Sequence, residues 1–358
     1  MGVFVKTFVL LWLYQVSLSP DPLVLLADYV GQPQALKPED WSYDLYLMHH
    51  YSTSTCLTFS TRKDIQELWQ TWIPEEAVTH QCLMHGLLAI SARHLAHLRT
   101  PNNEKYLSLS NKHQSLALGA FRSVLLPITV ENCNAFFALA ALISVFSMSV
   151  SSCRTEPTLH SGAMSIDDIV ELFVLTRGVR EVVKPSTVWI NNGPLKPMLY
   201  GHVFPEFAER ALPDSLQLHF DDLRDMVRDH RIDLAVQRFC VEALAELEGI
   251  YKTLLCLRTD GDFETGVVWK FAIDVSSGYM TLIRDCQPAA LIILAHFAIL
   301  SGIFANKWYI RGWSQQALQA IKNVLEPDWQ TWLRWPEEQM ARGLPILQVK
   351  GCHKQDCC

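Results

Sequence analysis

Between His80 and Leu98 the residues Met84, Leu87, Leu88, Ser91, Leu95 and Leu98 fall three and four apart, and this spacing constrains the chain more than any other feature. A stripe at that interval lies on one face of an α-helix and on both faces of a strand, so it predicts a helix with one buried side. The pattern recurs down the chain. Arg99 and Pro101 end the first helix, a second runs from about Glu104 until Pro127 stops it, and a third starts near Thr129 with Glu131 at its positive end. Ser165 caps a fourth, with Asp167 and Asp168 in its first turn. Leu234–Leu257 reads as an amphipathic helix, Pro288 opens another, Ser314 starts the next, and Pro327 starts a short one carrying Trp329, Trp332 and Trp335. Prolines 185, 194, 197, 205 and 213 with Asn191, Asn192 and Gly193 predict a long connection or lid over 187–213. No segment alternates apolar and polar residues between hairpin turns, so the expectation is an all-α fold, one large helical domain without a sheet.

The length of 358 residues and the 49% hydrophobic composition suffice for a sizeable core. Charge excludes one class of function. A chain with 30 Lys and Arg against 37 Asp and Glu, and no basic run, lacks the footprint of a protein that grips phosphates on its own. Ten cysteines occur and no two are separated by two residues, which excludes zinc ribbons and zinc clusters built on C-x2-C pairs. Cys82, Cys133, Cys240 and Cys256 read as small hydrophobes in helices. The tail from Gly351 to Cys358 carries Cys352, His353, Cys357 and Cys358, but a polar terminus explains it better than a metal site. The first 20 residues resemble a signal peptide yet lack an A-x-A-like cleavage site, and a buried helix or an uncertain gene boundary explains them equally well. The expected boundaries are therefore a poorly defined segment 1–39, an all-α domain over 40–340 and a cysteine-containing tail over 341–358. The apolar runs 135–150 and 288–305 are shorter than a bilayer requires and interrupted by serines or His296, so they are expected to be central helices rather than membrane spans.

No catalytic signature is present: no G-x-S-x-G, H-E-x-x-H, G-x-x-x-x-G-K or G-x-G-x-x-G occurs. His80, His85, His94 and His97 stand five, nine and three apart, not at the i, i+4 spacing that metal ligation from one helix needs. They read as solvated or hydrogen-bonded helix-face histidines, and the acidic stretch Asp260 to Glu264 reads as a solvated turn. No catalytic residue, metal ligand or cofactor is nominated. The 11 Trp and 16 Phe suit either an ordinary core or a cavity for an apolar ligand.

Five segments carry a resemblance. LMHHYSTSTCLTFS from Leu47 to Ser60, the helix HQCLMHGLLAISARHLAHL, ELFVLTRGVREVV from Glu171 to Val183, PAALIILAHFAIL from Pro288 to Leu300 and LEPDWQTWLRWPEEQ from Leu325 to Gln339 resemble, in that order, the C-terminal regulatory region of fungal zinc-cluster transcription factors. Within that family the segments resemble the group typified by the sterol uptake control proteins. The resemblance implies an all-α domain that senses an apolar ligand such as a sterol, in a nuclear regulator of lipid, sterol or secondary-metabolite genes rather than an enzyme. A ligand-bound form in the cytoplasm and contacts with other transcription proteins or a second copy are compatible with it. By segment, the ligand region it implies draws on Met84, Leu87 and Leu88, on Phe136, Phe137 and Leu139, and on Trp308, Gly312 and Trp313. The zinc cluster of that family has no counterpart among these cysteines, so contact with DNA is expected only indirectly or through a missing domain. Two other readings stay open: a helical protein-interaction scaffold without ligand, and a biosynthetic enzyme acting on an apolar substrate.

Overall fold

In the computed structural model the described residues are 41–98, 102–123, 128–152, 163–199, 211–229, 231–257 and 264–344. Every element among them is helical and none is a strand, as the all-α reading requires. The signal-like segment, residues 260–263 of the acidic stretch and residues 345–358 of the tail lie outside the described residues. Two compact units divide the chain, one from residues up to 150 together with 171–200, the other from 151–170 together with 201 onward.

The first unit begins with α1 (Trp41–His50), which runs on through a π turn, Tyr51–Thr55. The short α2 (Lys63–Glu67) and α3 (Ile73–Thr79) lead to α4 (Gln81–His97), its central helix. From Leu87 to Ala96 every residue of α4 is buried, because its neighbours cover it on more than one side. The helix α5 (Asn103–Ser123) packs along it, and Leu47, Leu88, Ala92, Leu95, Ala96, Tyr106 and Leu109 form one apolar cluster with Met84 at its edge. The Ser91 hydroxyl donates to the Leu47 carbonyl at 2.6 Å and pins α1 to α4. The helix α6 (Cys133–Ser152) approaches α4 closely at Gly86, where a Cβ would stand 2.8 Å from Leu139 Cδ1. Among the described residues it is the single helix long and apolar enough to cross a membrane, and 67% of its most apolar stretch is buried in the fold.

The region 187–213 departs from its expected irregularity. Helix α7 (Ile166–Asn191) passes through Pro185 and reaches Asn191, and Lys196–Leu199 forms the helical turn α8. Val182, Ser186 and Ile190 are buried at four-residue intervals, which holds that stretch against the core. Ser186 donates to the Val182 carbonyl, and Thr187 to that of Val183 at 2.7 Å. The hydroxyls bond back to carbonyls beside the proline, where the regular ladder is interrupted. At the other end of α7, Ser165 behaves as read: its hydroxyl accepts from the Asp168 N–H at 3.3 Å, while its own N–H donates to Asp168 Oδ2 at 2.9 Å, a reciprocal cap.

The second unit contains α9 (Asp214–Val227), α10 (Leu234–Leu257), α11 (Thr265–Asp274), α12 (Ser277–Arg284), α13 (Pro288–Leu300) and α14 (Trp313–Val324), followed by the short α15 (Pro327–Gln330) and α16 (Arg334–Ala341). Helix α13 is apolar all round and is accordingly its axis: every residue from Ala289 to Leu300 is buried, with α10, α11, α12, α14 and α16 packed against it. Helix α14 begins one residue before the serine expected to cap it. Its N-cap is Gly312 at φ 76°, a left-handed conformation that costs a residue with a Cβ, and Ser314 sits inside the first turn.

Candidate functional site

The nine residues nominated from sequence divide between the two units. On α4, Leu87 and Leu88 are buried and Met84 is half-buried. On α6, Phe136, Phe137 and Leu139 are buried, and the Gly86 contact brings α4 and α6 together at Leu139. Of these six, Leu88 belongs to the cluster around Leu47 with Met84 packed against it, and Leu139 is the residue that meets α4 at Gly86.

The other three belong to the second unit. Trp308 sets its ring edge-on to Tyr309 at 5.7 Å, Gly312 makes the left-handed turn, and Trp313 is fully buried. Trp313 enters an aromatic cluster that the sequence reading does not name. Its ring centroid is 5.1 Å from Trp269 and 6.1 Å from Phe297, and Phe297 stacks on Phe271 at 4.7 Å. The hint lies in spacing: Trp269 and Phe271 on α11 and Phe297 on α13 sit on helices whose apolar residues leave little doubt of burial, but one sequence does not say which helices meet.

The histidines are hydrogen-bonded, as one branch of the sequence reading has it, and several of them pair with one another inside the protein. His85 Nδ1 lies 3.1 Å from His113 Nδ1, whose Nε2 is 3.2 Å from Asp44 Oδ1. His94 Nδ1 meets both His50 at 3.2 Å and the Thr55 hydroxyl at 3.0 Å. In the second unit His296 Nδ1 donates to the Ile292 carbonyl at 2.7 Å, which leaves its Nε2 to accept from His219 Nε2 at 2.9 Å, with Trp335 stacked 4.1 Å from His219. Burial, reinforced by the partner imidazole, lowers His85 and His94 to about 4 and His296 to about 3, and burial lowers His219 to about 4. All four are neutral at pH 7. Each unit thus contains titratable groups held in their uncharged forms.

The cysteines share that character. Cys56, Cys82, Cys133 and Cys240 are buried free thiols, Cys256 is half-buried, and burial pushes Cys240 up to about 12 and Cys56 up to about 11. A thiol so raised offers almost no thiolate at neutral pH. Among the described residues no three His, Cys, Asp or Glu side chains converge where a metal ion would sit. The interior is chiefly apolar, with hydroxyls, imidazoles and the charged side chains of Arg93, Asp168, Glu171 and Glu248 also buried.

Comparison with known proteins gives this interior a family context. Residues 46–163 match the fungal specific transcription factor domain. The chain is 36% identical over 110 residues to sterol uptake control protein 2 of Saccharomyces cerevisiae, covering 30% of this chain and 12% of that protein. It is 35% identical over 112 residues to sterol uptake control protein 2 of Candida albicans, covering 30% of this chain and 15% of that protein. A longer and weaker similarity, 22% over 281 residues, spans 76% of this chain and 72% of the Zn(2)-C6 fungal-type transcription factor afumD of Aspergillus fumigatus. The chain thus matches only a small part of the sterol uptake control proteins but most of afumD.

Proposed function

We propose that this chain, which carries a fungal specific transcription factor domain over residues 46–163, is the regulatory part of a fungal transcription regulator that senses an apolar, sterol-like small molecule. Its targets would be lipid, sterol or secondary-metabolite genes. The observation that carries this reading is the similarity to sterol uptake control protein 2 in two yeasts. An interior built mainly of packed aliphatic and aromatic side chains supports it, since sites for apolar ligands have such walls.

In this reading the regulatory region is 40–340, comprising both units, with 1–39 and 341–358 as flanks. A ligand that enters between helices stabilises one packing over another by its differential affinity and so exposes or hides a surface for a partner. The active form works in the nucleus, and a ligand-bound form is retained in the cytoplasm. DNA is reached through a partner or through a module outside the residues described. The test is thermal denaturation of the purified chain against sterols, fatty acids and polyketide-like lipids. A ligand that binds the folded state raises the melting temperature saturably, and a flat response across the whole panel would sink the sensing reading.

One observation favours a second reading. Trp41, Leu45 and Tyr46 on α1 are 65%, 59% and 46% exposed. Such an apolar edge suits a helical scaffold that works by protein contact, including contact with a second copy, without any ligand.

A further inference from the structure

Among the described residues, two of the buried polar groups without a hydrogen-bond partner lie at the α13–α14 hairpin of the second unit. Trp313 is fully buried with its indole Nε1–H unpaired, and Ser301, 1% exposed, has an unpaired hydroxyl. Native cores seldom leave buried donors unmet, because such groups forfeit their bonds to water and gain none in return.

Both orphans belong to one end of the hairpin formed by α13 and α14. The 3-10 turn Ser301–Phe304 continues α13 directly, so Phe297 and Ser301, four residues apart, share a helix face. The Phe297 ring stands 6.1 Å from that of Trp313 and 5.6 Å from that of Trp269. Across the turn, a Cβ on Gly302 would lie 3.4 Å from the Ser314 hydroxyl, which fixes the chain beside Ser301 against the chain beside Trp313. A donor and a hydroxyl are therefore left over beside one aromatic wall.

We propose that this end of the hairpin receives the single oxygen of the sensed ligand, a neutral apolar molecule bearing a hydroxyl or ketone. The inference rests on the sensing reading and specifies it. Indole Nε1–H only donates, so its partner must be an acceptor, and the Ser301 hydroxyl can donate to or accept from the same oxygen. A carboxylate fits poorly here, since its charge would be stripped of water against ring faces that are themselves negative. A plain hydrocarbon would leave both groups orphaned. The rival occupant is a buried structural water, which would use the same two groups.

The test uses the full chain, dehydroergosterol as a probe read by its own emission, and two competitors that share a ring system with and without oxygen, 5α-cholestan-3β-ol and 5α-cholestane. The alcohol should displace the probe about tenfold better than the hydrocarbon, the worth of one or two buried hydrogen bonds. Ser301→Ala should bind the probe about fivefold more weakly and narrow the gap between the competitors, while its ligand-free melting temperature stays at or above that of the parent. Trp313→Phe, which removes the donor but also some packing, should narrow the same gap. Binding of the probe by Ser301→Ala at the parent's affinity would overturn the proposal. So would a lower ligand-free melting temperature for that variant, the mark of a hydroxyl already bonded to a structural water. If the parent binds neither probe nor competitor, the sensing reading fails as well; if the parent binds and neither variant weakens it, only this placement fails.

Discussion

Acid should unfold this protein through its paired histidines, over a pH range in which most proteins of this size are near their most stable. His85, His94 and His296 are 7%, 7% and 1% exposed, and in the folded chain they hold their protons only below about 4, 4 and 3. In the unfolded chain each titrates near about 6.5. The folded-state value is depressed, so between about 6.5 and 4 the unfolded chain binds more protons than the folded one, and stability rises with pH. The contribution is complete above about pH 6.5 and is lost as pH falls toward 4. At pH 5 an imidazole of this kind costs about 2 kcal/mol relative to pH 8, from the ratio of the two binding polynomials. Each is a substantial fraction of the roughly 5–15 kcal/mol that holds a domain folded. Carboxylates stay ionised through most of this window, so the effect belongs to the histidines. Urea unfolding at pH 7.5, 6 and 5 measures it, with midpoints falling at constant m. His296→Gln and His94→Gln should each flatten the slope by about one proton's worth while lowering stability at pH 7.5. A chain equally stable at pH 7.5 and 5 would refute the pairing and its burial together.

Three further outcomes follow from backbone and cap geometry. Gly86→Val should destabilise by about 1–3 kcal/mol in chemical denaturation, because the new Cβ arrives 2.8 Å from Leu139 Cδ1 and its methyls have nowhere to go. Gly312→Ala should cost about 1–2 kcal/mol, since an alanine at φ 76° crowds its own carbonyl, and differential scanning calorimetry would register the lower transition. Ser165→Ala should cost about 1 kcal/mol by removing the acceptor of the Asp168 N–H, with amide exchange at the start of α7 speeding up accordingly.

The helices were legible wherever pattern and punctuation agreed. Leu234–Leu257 and the start at Pro288 emerge at the residues read from the sequence, because amphipathic spacing in the first and a proline before an unbroken apolar run in the second leave one solution. Pattern fails where tertiary packing overrides a local signal. Pro185 reads as a breaker, yet Val182, Ser186 and Ile190 are all buried, and that burial together with two hydroxyl back-bonds carries α7 on to Asn191. Ser314 reads as a cap, but the turn before it is closed by the left-handed Gly312, and φ is not visible in a serine-versus-glycine choice. The histidine pairs are illegible for a deeper reason. His219 and His296 are 77 residues apart, and nothing in either neighbourhood announces the other.

The same contrast separates the candidate residues. In the first unit the candidates on α4 and α6 already have structural work: Leu87 is buried in the α4 core, Leu88 belongs to the cluster around Leu47, and Leu139 packs onto Gly86. The polar groups of α4 among them are spoken for as well, Ser91 by Leu47, His85 by His113 and His94 by His50 and Thr55. A helix fixed by both apolar contact and hydrogen bonds has a definite packed state to lose, so truncating Leu87 lowers stability whether or not a ligand is present. Trp313 differs because its ring is packed while its N–H is not used. A group that the fold positions but does not satisfy gains most from an added partner. That asymmetry places the first search for ligand-specific effects at the α13–α14 hairpin, with Leu87 variants as the control for general loss of packing.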